Sequence, residues 1–334
     1  MKRLAGIAVA LGLVGLVTAF VLWIVPADEF LFTPGNPMPL DDKVVVEGGR
    51  PTGEGDVYYV DITVRRTSRL EELFPGLRPE GSTVVPEHAL LPPGTSEEER
   101  DRQTAAEMER SELVASAVAL RELGYDVRAT PRGALVTDVA QDVPASDEIE
   151  RGDVIVAVDG TAVRTPDDLR REIRRRRPGD EASLTVRREG KQLGVVVRTV
   201  ADTRDPERPI LGIFVDQDAD ISLPLDIEID LGRVGGPSAG LPFAIEIARM
   251  LGRDVTHGCD VAATGELALD GSVLSVGGLK QKTIGARDTG VDLFLVPSGE
   301  NAEVAQENAE DLAIVPVESF QQALQLLTTS PRKC

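Results

Sequence analysis

The chain has little cysteine and few aromatic residues. Only two cysteines occur among 334 residues, Cys259 and Cys334. Two are too few for a disulfide framework or a cysteine-based metal cluster. We interpret them as a buried small residue and a tail residue, and the alternative is a bridge between the two. Aromatic side chains make up 4% of the residues, so leucine, valine and isoleucine must fill the cores of a chain that is 42% hydrophobic.

Positive charge is also scarce. Lysine and arginine number 36 against 56 acidic residues, which gives a net charge of −20. A nucleic-acid-binding protein needs a basic face to neutralise phosphates, so we exclude that class. The sequence contains no Gly-x-x-x-x-Gly-Lys-Ser/Thr phosphate loop. We therefore expect no bound nucleotide, and we expect neither a metal nor an organic cofactor.

Residues 1–27 contain an uncharged run of 22 residues, from Leu4 to Val25. A membrane-spanning helix needs about 20 apolar residues, whereas the apolar core of a secretory signal usually has about 7–15. The run therefore predicts an uncleaved transmembrane anchor. Lys2 and Arg3 favour a cytoplasmic N-terminus, with the rest of the chain outside. The alternative is a long signal peptide that is cleaved near Ala27.

The pattern of apolar and turn residues in segment 28–128 predicts an irregular linker, strands at 43–47 and 57–65, and a long helix that ends at Gly124. The first half of this helix is nearly all polar and only its second half is apolar. We therefore expect only the second half to pack against a core. The pattern assigns no function to residues 43–123, and we expect this region to pack on the domain that follows it.

Residues 129–202 form the next predicted domain. Strands alternate with tight turns, and a single late helix begins at Pro166 after the capping residue Thr165. This order, and above all the run 151–160 (RGDVIVAVDG), resembles a bacterial PDZ domain. PDZ domains bind extended peptide ends as an added strand. The resemblance implies a peptide groove between the strand from Ala134 and the helix from Pro166, and the alternative is a spacer without a ligand.

Residues 203–334 contain the most informative turn. A half-buried strand at 225–231 leads into Gly236-Pro237-Ser238-Ala239-Gly240, and an apolar helix follows. Unpaired N–H groups at a helix N-terminus can hold a developing oxyanion. Ser238 is therefore a candidate nucleophile. Gly236 allows the turn backbone conformations that other residues resist. The N–H of Ser238 or Ala239 would donate a hydrogen bond to the oxyanion.

A serine nucleophile needs a base. The two histidines, His88 and His257, have no catalytic-triad signature around them. Only six of the 36 basic residues are lysines, and two of these six are Lys280 and Lys282. A buried lysine can give up its proton, whereas arginine cannot. Residues two apart on a helix point to different faces, so only one lysine can face Ser238, and the spacing alone does not choose between them.

Three motifs together settle the choice by resemblance. The segments 236–240 (GPSAG), 263–267 (ATGEL) and 277–282 (GGLKQK) resemble, in order and spacing, the proteolytic domain of Lon proteases. The resemblance implies that Ser238 is the nucleophile and Lys282 the base. It also implies that Thr264 orients the lysine, although Thr264 is otherwise an ordinary strand residue. One position departs from the family, because many Lon enzymes have an aspartate where this chain has Gly235.

The whole layout is similar to the membrane-bound PDZ–Lon proteins of Gram-positive bacteria. It implies an α+β protein with an N-terminal transmembrane helix, a PDZ-like β-barrel or sandwich, and a Lon-type α/β proteolytic domain. We expect an ATP-independent serine endopeptidase that acts on unfolded or flexible protein segments at the extracytoplasmic membrane face and assembles as a hexamer. The alternatives are a non-enzymatic membrane adaptor and a phosphate-binding module at residues 235–240. Intact Ser238 and Lys282 argue against the adaptor.

Overall fold

The structure is a computed structural model that describes residues 2–91, 96–140, 142–203, 205–232 and 234–329. The side chains of residues 2–10 and of His88 lie outside this description. Within the described residues, no helix combines enough length with enough apolar character to cross a membrane. The predicted anchor at 1–27 includes residue 1 and the side chains of residues 2–10, so part of that prediction lies outside the described residues.

The α-helices fall in chain order along the described residues. They are α1 (Lys2–Ile24), α2 (Arg69–Leu73), α3 (Glu87–Leu90), α4 (Glu97–Glu122), α5 (Pro166–Ile173), α6 (Gly240–Met250), α7 (Leu279–Thr289), α8 (Glu300–Asn308) and α9 (Phe320–Thr329). Short 3₁₀ turns add Pro75–Leu77, Pro144–Asp147 and Pro237–Ala239.

The strands are short in most of the chain. They are β1 (Pro26–Pro34), β2 (Met38–Pro39), β3 (Val44–Val46), β4 (Val57–Tyr59), β5 (Ile62–Ser68), β6 (Thr83–Pro86), β7 (Arg128–Val139), β8 (Val154–Val158), β9 (Thr161–Ala162), β10 (Glu181–Arg188), β11 (Lys191–Arg198), β12 (Val200–Ala201), β13 (Pro209–Ile210), β14 (Ile213–Ser222), β15 (Ile227–Ile229), β16 (Val261–Ala263), β17 (Glu266–Leu267), β18 (Val273–Leu274), β19 (Leu293–Pro297) and β20 (Ala313–Val317).

The chain forms two compact units. The first consists of Met1–Ala119, Ile227–Leu267 and Val273–Cys334, and the second of Leu120–Asp226 and Ala268–Ser272. Residues up to 119, which we expected to pack on the PDZ-like domain, belong to the first unit. Strand periodicity shows which face of a strand is buried, but it does not show which sheet the strand joins.

The first unit is built around a sheet with the strand order β2-β4-β16-β19-β20. Strand β4 lies parallel to β16, with Tyr59 opposite Ala263, and β3 pairs with β15. Val57, Tyr59 and Val60 are buried in this unit, and Tyr58 is partly buried. Cys259 is almost fully buried and is disulfide-bonded, so it is not the free small residue that we expected. Cys334 lies outside the described residues.

The second unit contains a sheet with the order β11-β10-β8-β7-β14, with β9 added to β8. Helix α5 begins as predicted, because Thr165 and Asp168 form a reciprocal capping box. Strand β14 pairs with β7 in antiparallel fashion, from Ile213 opposite Val139 to Ser222 opposite Arg128. Strand β7 is therefore interior. The predicted groove beside the strand from Ala134 is wrong, because the edge strand on that side is β14.

Helix α7 is seated on the strands that precede it by close contacts. The Gln281 side chain is buried, and its Nε2 donates to Gly81 O at 2.9 Å and to Thr83 Oγ1 at 2.8 Å. One turn later, Gly285 lies so close to the carbonyl oxygen of Gly35 that a Cβ at residue 285 would overlap it. This approach fixes the height of α7 over β1.

The substitution Gly285→Ala tests this seating. Alanine normally favours a helix by about 0.5–1 kcal/mol over glycine. Here overlap with Gly35 should reverse the sign, and we expect a net destabilisation of about 1–3 kcal/mol. Urea unfolding of the full chain measures it. Gly76→Ala is the matched control, because nothing lies within 4 Å of a Cβ there and φ is not in the left-handed region. Equal unfolding midpoints for the two variants would contradict the account.

Candidate active site

Ser238 lies in the 3₁₀ turn Pro237–Ala239, between β15 and α6. Gly236 opens the turn at φ +94°, a conformation that favours glycine. The turn is tied to α4, since the Gly236 N–H donates to Thr104 O at 2.8 Å and Ser111 Oγ donates to Pro237 O at 3.0 Å. Sequence reasoning missed these two contacts.

The first half of α4 is therefore not the unpacked segment that its polarity predicted. Met108 is 5% exposed and reaches the space in front of Ser238. A Cβ at Gly235 would lie 2.8 Å from Thr104 Oγ1. Most residues of this half are nevertheless exposed, and its contacts with the turn come from the Thr104 carbonyl oxygen and from buried Met108. Hydropathy alone does not reveal such contacts.

Lys282 is presented by the first turn of α7. Gly278 precedes this helix in the left-handed region at φ +73° and accepts the Lys282 N–H at 2.9 Å. The Lys282 side chain is 3% exposed and points into the same cavity as Ser238. Lys280 is half-exposed and lines a neighbouring cleft with Glu300 and Asn301. The two lysines thus face different ways, and Lys282 is the one that meets the serine.

Three side chains meet at one point. Lys282 Nζ lies 2.7 Å from Ser238 Oγ and 3.0 Å from Thr264 Oγ1. Thr264 is fully buried, and its Oγ1 donates to Ser238 O at 3.2 Å. The Thr264 N–H is bound to Leu295 O of β19, so the sheet holds the threonine rigidly. Thr264 therefore connects the lysine amine to the backbone of the serine turn by two hydrogen bonds.

The electrostatics favour a neutral amine at Lys282. Burial disfavours the charged form and lowers the pKa of Lys282 to about 7, while the carboxylate of Asp61 acts in the opposite direction. An amine with that pKa is substantially unprotonated near neutral pH. It can then accept the Ser238 proton across the 2.7 Å contact.

The cavity in front of this cluster has a volume of about 370 Å³. Ala239 and Gly235 line it beside Ser238, and Tyr59 and Asp61 line it from β4 and the residues after it. Burial raises the pKa of Asp61 above its usual range and raises the pKa of Tyr59 to about 12. Sequence reasoning missed both residues. The alternation of this strand shows which side chains share a face, but it does not show that Tyr59 and Asp61 line a cavity with Ser238.

The remaining candidates lie elsewhere. His257 is exposed, and its Nδ1 lies 3.3 Å from Asp254 Oδ2, away from the cavity. The His88 side chain lies outside the described residues. In the described part of the chain, no group of three or more histidine, cysteine, aspartate or glutamate side chains is arranged to hold a metal ion.

Two family models match the chain. Residues 121–199 match the PDZ domain, and residues 222–330 match the Lon protease (S16) C-terminal proteolytic domain. The second match covers the three motifs of the sequence analysis. Residues 222–330 are thus a proteolytic domain of the Lon type, which is a serine peptidase domain, and a PDZ domain precedes it.

Individual relatives agree with the second of these matches. The chain is 38% identical over 91 residues to the Lon protease of Mesomycoplasma hyopneumoniae, covering 26% of this chain and 10% of that protein. It is 42% identical over 97 residues to Lon protease 1 of Thermus thermophilus, covering 28% of this chain and 12% of that protein. The chain therefore spans only about a tenth of the length of the curated relatives that it matches.

Among solved structures, the PDZ domain of the SdrC-like protein from Listeria monocytogenes matches 26% of this chain and 92% of that one. The sequence identity is 27% and the TM-score is 0.25.

The lowered pKa of Lys282 predicts a pH-dependent stability. Between the folded value of about 7 and the ordinary value of 10.5, the unfolded chain binds this proton and the folded chain does not. The free energy of unfolding should therefore rise with pH across that window, by at most about 1.4 kcal/mol per pH unit from this group. Urea unfolding of wild type and Lys282→Met, from pH 6.5 to 10, isolates the effect by difference.

Lys280→Met is the control for this measurement. Lys280 is half-exposed in another cleft, so its loss should leave the wild-type slope in place. A slope that is the same in Lys282→Met and wild type would show that Lys282 keeps an ordinary pKa.

Proposed function

We propose that this protein is a serine endopeptidase in which Ser238 is the nucleophile and Lys282 the general base. The observation that carries the proposal is the 2.7 Å contact between Ser238 Oγ and a lysine amine that is 3% exposed. A buried amine beside a hydroxyl at a helix start is the arrangement that a serine needs to become nucleophilic at neutral pH.

The geometry supports the following sequence of steps. Ser238 Oγ attacks the peptide carbonyl carbon while its proton moves to Lys282 Nζ. The carbonyl oxygen becomes an oxyanion near the N-terminal N–H groups of the turn and α6, with the N–H of Ser238 or Ala239 as donor. The Lys282 ammonium then protonates the leaving amine, and an acyl-enzyme remains. Water, deprotonated by the neutral Lys282, releases the acid and restores Ser238.

The adaptor alternative explains this site less well. Burying a lysine amine lowers the stability of the fold unless a counter-charge and hydrogen bonds offset the loss of hydration. A protein keeps such a group without that compensation when the group has a function. Lys282 is buried with two hydroxyl partners, and among the described residues no carboxylate lies within ion-pair distance of its amine. A protein that only recruits partners has no use for such a group, whereas a base catalyst does.

The proposed substrates are unfolded or flexible protein segments, and cleavage proceeds without ATP. The 334 residues contain no phosphate-loop motif, and a cavity of about 370 Å³ suits one extended segment. Edge strand β14, beside α5, is the proposed place where the PDZ domain recruits a peptide as an added strand. Hexamer formation is likewise a proposal that follows from the family resemblance.

Three variants test the assignment in the full chain. Ser238→Ala and Lys282→Ala should each lower casein cleavage without ATP by at least about 10³-fold, because each removes one half of the proton transfer. Lys280→Ala should retain activity within about twofold. Released peptides, counted by mass spectrometry, give the rate.

Other outcomes separate the alternatives. If Lys280→Ala lost cleavage and Lys282→Ala retained it, the base would be Lys280 and the proposed assignment would be wrong. A wild-type protein that cuts neither casein nor short peptides, yet still binds partners through its PDZ domain, would favour the adaptor.

We also propose that the chain is anchored in the cell membrane, with its N-terminus cytoplasmic and its two domains outside. The uncharged run Leu4–Val25 and the charges of Lys2 and Arg3 support this orientation. The full chain should stay with membranes after alkaline carbonate extraction, and added protease should digest its PDZ and proteolytic domains in intact protoplasts.

The double substitution Val14→Lys/Val17→Lys is the control for the anchor. Each lysine at the centre of a membrane span costs about 2.5–3.5 kcal/mol, so this variant should be extracted. Extraction of the unmodified chain, or protection of its domains from added protease, would reject the anchored topology.

A further inference from the structure

Strand β4 contributes a polar wall to the cavity that contains Ser238 and Lys282. Tyr59 lies at the end of this strand and Asp61 two residues later, and both line the cavity. The hydroxyl of Tyr59 and the Oδ1 atom of Asp61 are buried without a hydrogen-bond partner. Buried polar atoms are nearly always paired in folded proteins, so two unpaired atoms on one wall of a reaction cavity need an explanation.

The position of Asp61 is fixed by a close backbone approach. Gly35 lies so near to Asp61 Oδ1 that a Cβ at residue 35 would overlap this oxygen, and the same Cβ would lie 2.8 Å from the Asp61 carbonyl oxygen. Gly35 in turn meets Gly285 of α7, one turn beyond Lys282. Two glycines thus hold the carboxylate and the helix of the lysine in a fixed relation.

Asp61 is also the charged neighbour of Lys282. Among the described residues that line the cavity, the titratable side chains are Tyr59, Asp61 and Lys282. The elements carrying Ser238 and Thr264 present only hydroxyl groups to the amine. Lys280 of the same helix lines the neighbouring cleft. A carboxylate at this wall favours the ammonium form of Lys282 and so opposes the effect of burial.

We propose that Asp61 is a positioning residue that acts through Lys282, by supplying the counter-charge for the ammonium that forms when Ser238 loses its proton. This inference rests on the proposed function. The proton passes from Ser238 Oγ to Lys282 Nζ as the bond from Oγ to the carbonyl carbon forms, and then from Nζ to the leaving amine. Asp61 acts in its ionised form, which the charge of the Lys282 ammonium favours against the effect of burial, and it neither accepts nor donates that proton.

Asp61→Asn removes the charge and keeps the shape of the side chain. Without the carboxylate, the lysine becomes a weaker base, so its amine stays neutral to a lower pH. The acid limb of kcat/KM should move to lower pH by about 1 unit. The maximal kcat should fall about tenfold, with KM changed less than twofold, because the ammonium of the transition state has lost its counter-charge. Asp61→Glu keeps a carboxylate and should restore much of both.

The decisive measurement titrates Lys282 directly in the full chain. With ¹³Cε-labelled lysine only six signals are expected, and Lys282→Met identifies the one of interest. The Lys282 titration midpoint should be about 1 pH unit lower in Asp61→Asn than in wild type. Tyr59→Phe is the matched control, because it removes a buried polar group from the same wall without removing a charge, and it should shift the midpoint far less.

The outcomes distinguish this inference from the proposed function, because the titration needs no substrate. An unchanged or higher midpoint in Asp61→Asn overturns the role of Asp61, even when wild type cleaves casein. A lowered midpoint in a protein that cleaves nothing supports the charge coupling and rejects the peptidase. If Asp61→Asn does not fold, Asp61→Glu and Asp61→Ser decide in the same titration, since only the first keeps a charge.

Discussion

The proposed chemistry of the first unit depends on the burial of one lysine amine, that of Lys282. Lys282 is 3% exposed, and its Nζ contacts two hydroxyl oxygens at 2.7 and 3.0 Å. Water in this space would solvate the ammonium and return its pKa toward 10.5, and the amine would then be charged at neutral pH. The residues that bury this amine are therefore part of the site chemistry as well as of the fold.

The residues around the amine come from segments that are far apart in the sequence. The serine turn is held by α4 through Thr104 and Ser111, and the threonine is held by β19. Helix α7 is seated by Gln281 on the residues around β6 and by Gly285 on Gly35. A shift in any of these contacts changes the distance from Nζ to Oγ, and a proton transfer is sensitive to an error of less than 1 Å.

The sequence shows the proposed nucleophile and base but not the residues that surround them. Ser238 and Lys282 stand in local patterns with a direct chemical meaning: a glycine-rich turn before a helix, and lysines in a chain that otherwise prefers arginine. Thr104, Ser111 and Asp61 stand in no such pattern. Their roles depend on long-range pairing, such as β4 beside β16, and hydrophobic periodicity gives the face of an element without its partner. The same limitation explains why the sequence predicted a groove at β7, although β7 is interior and β14 is the edge strand on that side of the sheet.

Gly235 shows how helix packing and electrostatics combine at this site. Many Lon enzymes have an aspartate at the position of Gly235, so the sequence suggested a site without an acid beside the serine. In the structure, a Cβ at residue 235 would lie 2.8 Å from Thr104 Oγ1, and α4 leaves no room for a longer side chain in that direction. The cavity nevertheless contains a carboxylate, that of Asp61, which lies two residues beyond β4 and acts electrostatically on Lys282. A carboxylate beside the serine would repel the developing oxyanion. A carboxylate that acts on Lys282 stabilises the ammonium that forms when the serine loses its proton. The close packing of α4 at Gly235 and the placement of Asp61 thus leave Asp61 as the one carboxylate among the described residues that line this cavity.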